Sequence, residues 1–412
     1  MNATTATTLT KQNTAVRLIK HNGLDRIFAF LFAVMVIVQP LRSFLPVTLS
    51  MAIIIASIPY ILFFLSSRWL SMKSVYFVAP YAIFRIINHG TSVEEFITML
   101  FLILLVIFLS NNWFDFDDFF KWTVRISCFA SACLILQNLA HLIANIHIPF
   151  LNIGMLRDGM SSYETLISTG TASGVYRPSA FFIEPSAYTQ YAYPVLVYLL
   201  FKSGSKRSLE FALLISIGII ASTSGMGIML SVGLWGLYLF YNSFGTGKIK
   251  RKWFGVFIVA VLMVLVAYIM SPQLQYSVQR IFTGIGGQNS AIQGRLGGGQ
   301  YYISLFNRSE FLFGTGDAGT ELTMYMSGLY HLIYIDGVIC AALFILMFAV
   351  QAIRRRGGDR LLPCIVILMT VFSDTTLIQT LVYVMIYVFA TVNHVEVKQL
   401  KRKIKIRVPS KH

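Results

Sequence analysis

The chemistry in this chain concentrates in one stretch, "YRPSAFFIEPSAYTQY", residues 176 to 191. Arg177 and Glu184 stand seven positions apart, each beside a proline, at the mouth of a long apolar run. Arginine offers a planar, permanently charged fork for phosphate or carboxylate oxygens. Glu184 can accept a proton or orient a hydroxyl. Pro178 suits the first turn of a helix, whose free N–H groups would then point at whatever Arg177 binds. Pro185 disfavours helical geometry at Glu184, so a break is expected there, facing protein or a water-filled cavity instead of lipid.

Two further stretches carry groups of this kind. In "GGQNSAIQGRLGGGQ" (286–300) glycines surround Arg295, which reads equally as a flexible loop or as a loop whose backbone N–H groups and guanidinium close over a phosphate. In "GLYHLIYIDG" (328–337) His331 stands where a long loop meets the next apolar run, and it can serve as a base near neutral pH or bind phosphate when protonated. Other patterns are set aside. "GTGDAG" (314–319) fits G-x-G-x-x-G but lacks the strand–turn–helix setting that gives this pattern meaning, so a Gly-rich turn re-entering the membrane surface is expected. "DFDD" (115–118) falls on the opposite side of the membrane and reads as a solvated turn. No His, Cys, Asp and Glu cluster has metal-ligand spacing, so neither a metal nor a cofactor is expected.

The elements that must position these residues are membrane spans. Of 412 residues 56% are hydrophobic and only 12% charged. Soluble domains carry about 25% charged residues. Apolar runs near 24–40, 44–66, 72–88, 93–110, 120–145, 179–201, 208–222, 225–242, 253–271, 328–350, 361–373 and 377–393 predict an all-α integral membrane protein of about twelve spans. It reads as a single polytopic domain with a cytoplasmic segment 1–23, outer loops at 146–178 and 272–327, and a basic cytoplasmic tail at 394–412. A tight turn at "STSG" separates two of the spans. Cytoplasmic termini put 26 of the 33 Lys and Arg residues on the inner side. The seven outer cations are all Arg: 42, 85, 157, 177, 280, 295 and 308. That choice points to an anionic ligand on the outer face. Charge gathered in short alternating loops sets orientation and argues against nucleic acid, despite a net charge of +16. Spacing of Tyr302, Leu305 and Phe306 predicts an amphipathic helix on the membrane surface. The four cysteines fall within apolar runs, and no disulfide is expected.

With its dozen spans, two long arginine-bearing loops and an "R…FLFGTG" arrangement from Arg295 to Gly316, the chain resembles the Wzy-type polymerases of bacterial oligosaccharide repeat units. The 176–191 stretch matches their R-x-S-x-F-F-x-E-P-x-x-x-x-x-Y signature, and the superfamily includes the O-antigen ligases. The resemblance implies a GT-C-like glycosyltransferase in the bacterial inner membrane, acting on undecaprenyl-pyrophosphate-linked glycans on the outer face. It would move the growing glycan to the non-reducing end of a fresh repeat unit, inverting the anomeric centre, with a chain-length-determining co-polymerase as partner. By that likeness Arg177 and Arg295 neutralise the pyrophosphate, with Arg280 in reserve. Glu184 and His331 compete as the base, and Tyr176, Tyr191, Tyr301 and Tyr302 are candidate sugar contacts. In one respect the chain departs from its model. Many relatives carry an Arg after the middle-span "S-x-S" or "T-S", whereas "STSGMG" (222–227) continues with Gly225, so Arg85 or Arg308 must substitute if that Arg binds phosphate. An O-antigen ligase and a twelve-span transporter or flippase are the rival readings.

Overall fold

A computed structural model describes residues 23–38, 75–89, 115–146, 148, 176–182, 185–202, 206–244, 291–316, 326–355 and 357–372, with scattered positions between 254 and 279. All regular structure among them is helical. The helices are α1 (Gly23–Val38), α2 (Val75–His89), α3 (Phe116–Ala144), α4 (Pro185–Phe201), α5 (Lys206–Ala221), α6 (Gly225–Phe244), α7 (Ala291–Ser304), α8 (Arg308–Phe313), α9 (Gly328–Arg354) and α10 (Leu361–Phe372), with a 3₁₀ turn at Gly357–Arg360. The spans expected at 44–66, 93–110 and 377–393, and both chain ends, lie outside the described residues.

Among the described residues three helices are long and apolar enough to cross a bilayer: α3, residues Gly227–Phe244 of α6, and α9. At 1.5 Å per residue, the 29 residues of α3 reach about 43 Å. Leu142 and Ile143 of α3 are 77% and 80% exposed, an apolar outer face that suits lipid better than water. A membrane protein is the class these helices fit. α10, with 12 residues, covers only about 18 Å.

Helix α4 is the centre of the packing, and three of its tyrosines show how. Tyr188, Tyr191 and Tyr193 are fully buried. The Tyr188 hydroxyl pairs with Ser131 Oγ of α3 at 2.7 Å. Tyr191 donates to the Ala33 carbonyl of α1 at 2.7 Å, and Tyr193 to the Gly227 carbonyl of α6 at 2.7 Å. Each ring supplies apolar area while its hydroxyl finds an acceptor on a different neighbour, which a buried phenol requires. Helices α3 and α5 approach closely because Gly218 has no side chain: a Cβ there would lie 2.4 Å from Ser131 Oγ.

The helix ends sort into two groups. Asp115 accepts from the Asp118 amide as the N-cap of α3, and its own amide donates to Asp25 O in α1. Arg26 and Lys121 both pair with Asp118, at 3.4 and 2.7 Å. The "DFDD" stretch is therefore a cap and first helical turn, not a free turn. It caps the start of α3 and ties it to the start of α1 through Asp25 O and Arg26. Phe201, ending α4, lies against Gly358, just past the end of α9. Helix α4 runs against α3, with Phe120 on Tyr198 and Ser131 on Tyr188, so its first residues open at the end of the bundle where α3 and α5 finish.

Candidate functional site

The 176–182 segment is wedged at that end of the bundle. The tight turn expected at "STSG" separates α5 from α6, with Thr223 in the left-handed region at φ 54°. Thr223 Oγ1 reaches the Tyr176 carbonyl at 3.4 Å. The Tyr176 ring stacks on His141, in the last turn of α3, with centroids 4.3 Å apart. Gln137 Oε1 accepts from the buried Ala180 amide at 3.0 Å, and its Nε2 donates to Ile148 O at 2.8 Å. Phe181 stacks on Phe129, and Phe182 packs against Tyr188 and Tyr191. One glutamine, two buried phenylalanines and a tyrosine–histidine stack thus hold the backbone on either side of Arg177.

This corrects the expected helix start. Pro178 is not in the first turn of α4. Residues 176–182 are non-helical, with a turn closed by the Phe182 amide on Ser179 O at 3.0 Å, and α4 begins at Pro185. Either proline suits a first helical position. Burial of the two phenylalanines and the Gln137–Ala180 bond select the second. Glu184 lies outside the described residues, immediately before that first position. Tyr191 is fully buried, and its hydroxyl is bonded to α1.

A second group forms around the start of α9. That helix is broken at Gly337, whose φ of 82° and ψ of 167° are not helical. The break frees carbonyls that a continuous helix would satisfy, and the 313–316 segment satisfies them. Thr315 N and Oγ1 donate to Tyr334 O at 2.9 and 3.1 Å, and Gly316 N donates to Ile335 O at 3.1 Å. Asn88 of α2 donates to Asp336 O at 3.3 Å and also to Phe313 O. Two glycines make the fit possible. A Cβ on Gly314 would lie 2.1 Å from Ile335 O, and one on Gly337 would lie 2.2 Å from Leu312 O. The "GTG" run of 314–316 is an irregular segment docked on a broken helix.

The expected loop 272–327 is partly helical, at Gln275, Val278 and Gln279 and in α7 and α8. The glycine run 297–299 lies within α7 and does not form a free loop. Gly299 lets α7 close on Tyr330: a Cβ there would lie 2.5 Å from that ring. Tyr302 and Phe306 pack on Tyr334, with centroids 6.3 and 5.2 Å apart. Arg295, one turn before Gly299, is thereby carried on a helix that lies along the start of α9, where His331 sits. Tyr301 is 62% exposed and open to a ligand, whereas Tyr302 is half-buried in the α7–α9 contact. Arg280 lies outside the described residues. His331 Nδ1 is buried without a hydrogen-bond partner among the described residues, and Asp336 and Arg85 lie within electrostatic reach. Arg85 is committed inside the bundle. Its Nε is 3.3 Å from Asp336 Oδ1, and its Nη1 donates to the Tyr81 hydroxyl at 3.0 Å. Arg308 is exposed at the first position of α8.

Asp336 and His141 are the two residues sequence reasoning missed. A carboxylate inside an apolar span is a signal in itself. His141 lies in the last turn of a span, three residues from its end, which gave it no distinction in sequence. Among the described residues no three His, Cys, Asp or Glu side chains come together as a metal would need. No protein-family model matches the sequence, and no curated protein matches it.

Proposed function

We propose that the chain is a membrane glycosyltransferase that polymerises oligosaccharide repeat units carried on undecaprenyl pyrophosphate. In this reading it has about twelve spans with cytoplasmic termini in a bacterial inner membrane, and its site faces outward. The observation that carries the reading is the non-helical 176–182 segment, anchored by Gln137, Phe181 and Phe182, which brings Arg177 to the end of the bundle where α4 begins. A membrane-embedded pyrophosphate leaving group calls for such a cation beside a helix start.

Arg177 meets the charge that develops on the pyrophosphate as the bond from the anomeric carbon to the phosphate oxygen breaks, and Arg295 on α7 acts with it. The acceptor hydroxyl of the incoming repeat unit attacks the anomeric carbon and gives up its proton to Glu184 or His331. Tyr301 offers an exposed ring for a sugar face.

Deletion of the gene in its source bacterium, followed by electrophoresis of surface and lipid-linked glycans, tests this. Collapse of long chains to a single repeat unit on the surface is the expected result. Complementation with Arg177→Ala should then leave chain formation depressed by about 100-fold or more, the usual cost of losing one transition-state donor. Long chains that persist on undecaprenyl pyrophosphate would instead mean a ligase. An unchanged glycan pattern would overturn the reading.

A further inference from the structure

A charged pair inside an apolar bundle needs a reason. The Arg85 and Asp336 side chains are 9% and 2% exposed, and stripping water from two ions is only partly repaid by their attraction. Apolar residues of similar size would pack as well. The location of the pair supplies the reason. Asp336 is the last residue before the break at Gly337, and both its ends are tied to α2: the carboxylate to Arg85, the carbonyl to Asn88 three residues on. The two carbonyls before it, Tyr334 and Ile335, hold the docked segment 315–316. Beyond the break, Cys340, Phe344 and Phe348 are buried in the core and fix the rest of α9. The Gly328–Asp336 half meets the rest of α9 only through that break, and Leu332 is its one residue in the apolar core.

We infer that Arg85 and Asp336 are positioning residues. They latch the first half of α9 to α2, and through that half they fix His331, the 314–316 segment and the packing of α7. An ion pair suits the task better than apolar contact. Its two partners match only each other, whereas apolar surfaces slide over neighbouring positions at little cost. The latch itself is independent of the polymerase reading, and only its consequence for His331 rests on that reading.

Hydrogen exchange on the full-length protein in detergent tests it. Asp336→Asn removes the charge and keeps the shape. Exchange in peptides covering 312–317 and 328–336 should accelerate by about tenfold or more, while peptides covering 216–228 stay as they were. The reversed pair, Arg85→Asp with Asp336→Arg, should restore slow exchange at 312–317. Should Asp336→Asn fail to accumulate as folded protein, Asn88→Ala removes the other tie to α2 and carries the same expectation. Unchanged exchange at 312–317 in these variants, or a reversed pair no slower than the single variant, overturns the latch. Faster exchange together with full-length polymer would leave the latch standing and remove His331 from the reaction.

Discussion

Replacing Gly337 by alanine tests whether the break in α9 is built into the fold. Its φ of 82° with ψ of 167° lies in a region that is essentially reserved for glycine. A side chain there costs of order 1–3 kcal/mol. The added Cβ would also lie 2.2 Å from Leu312 O and 2.5 Å from Leu312 C, so the end of α8 must shift. Forcing atoms into a packed site adds about 1–3 kcal/mol. The two effects together predict a loss of about 2–6 kcal/mol. Gly236 in α6 is the control, because nothing lies within 4 Å of a Cβ there. Alanine at that position should gain up to about 1 kcal/mol of helix propensity. Thermal unfolding of the purified protein in detergent separates the two: Gly337→Ala should melt several degrees below the parent protein and Gly236→Ala at or slightly above it. The opposite sign is informative. Alanine favours a continuous helix, so a Gly337→Ala protein as stable as its parent would mean that α9 can straighten and that the docked segment is not needed to hold the break.

Three further outcomes follow from buried contacts. Gln137→Leu strands the buried Ala180 amide and should cost about 1–3 kcal/mol, with faster exchange at that amide as its local readout. Gly218→Ala drives a Cβ into Ser131, 2.4 Å from its Oγ and 2.8 Å from its Cα, so thermal stability should drop, and Ser131→Gly should restore only part of it because the backbone atom remains. Tyr191→Phe loses one buried hydrogen bond, about 1 kcal/mol in the melting curve, and should leave glycan chain length unchanged; shortened chains would place Tyr191 in the substrate site.

How far the sequence revealed this structure depended on the range of the forces involved. Helix α3, helix α9 and the turn between α5 and α6 were legible because each apolar run is long and bounded by polar or turn residues. The start of α4 was not, because Pro178 and Pro185 are equally good first residues, and a glutamine on α3 decides between them. The 297–299 glycines read as a flexible loop until Tyr330 is seen lying against Gly299. Arg85 and Asp336 are far apart in the chain. A lone charge in each apolar run announces that a partner exists, but sequence alone does not name it. The Arg177 stretch was recognisable, and its anchoring by Gln137, Phe181 and Phe182 was not.

The junction between α9 and the 314–316 segment also makes a prediction about combinations. In an apolar setting every freed backbone group must find a partner, so a break at Gly337 demands the donors at Thr315, Gly316 and Asn88. Those donors can approach only if Gly314 and Gly337 both lack a Cβ. Lesions at the two glycines therefore damage one object. Once Gly314→Ala has pushed the segment off Ile335, little remains for Gly337→Ala to disturb. The double variant should lose less stability than the two single losses added together, by about 0.5–3 kcal/mol, the range found for residues that share a contact. Losses that add to within about 0.5 kcal/mol, as independent sites do, would show that the segment and the broken helix are stable without each other.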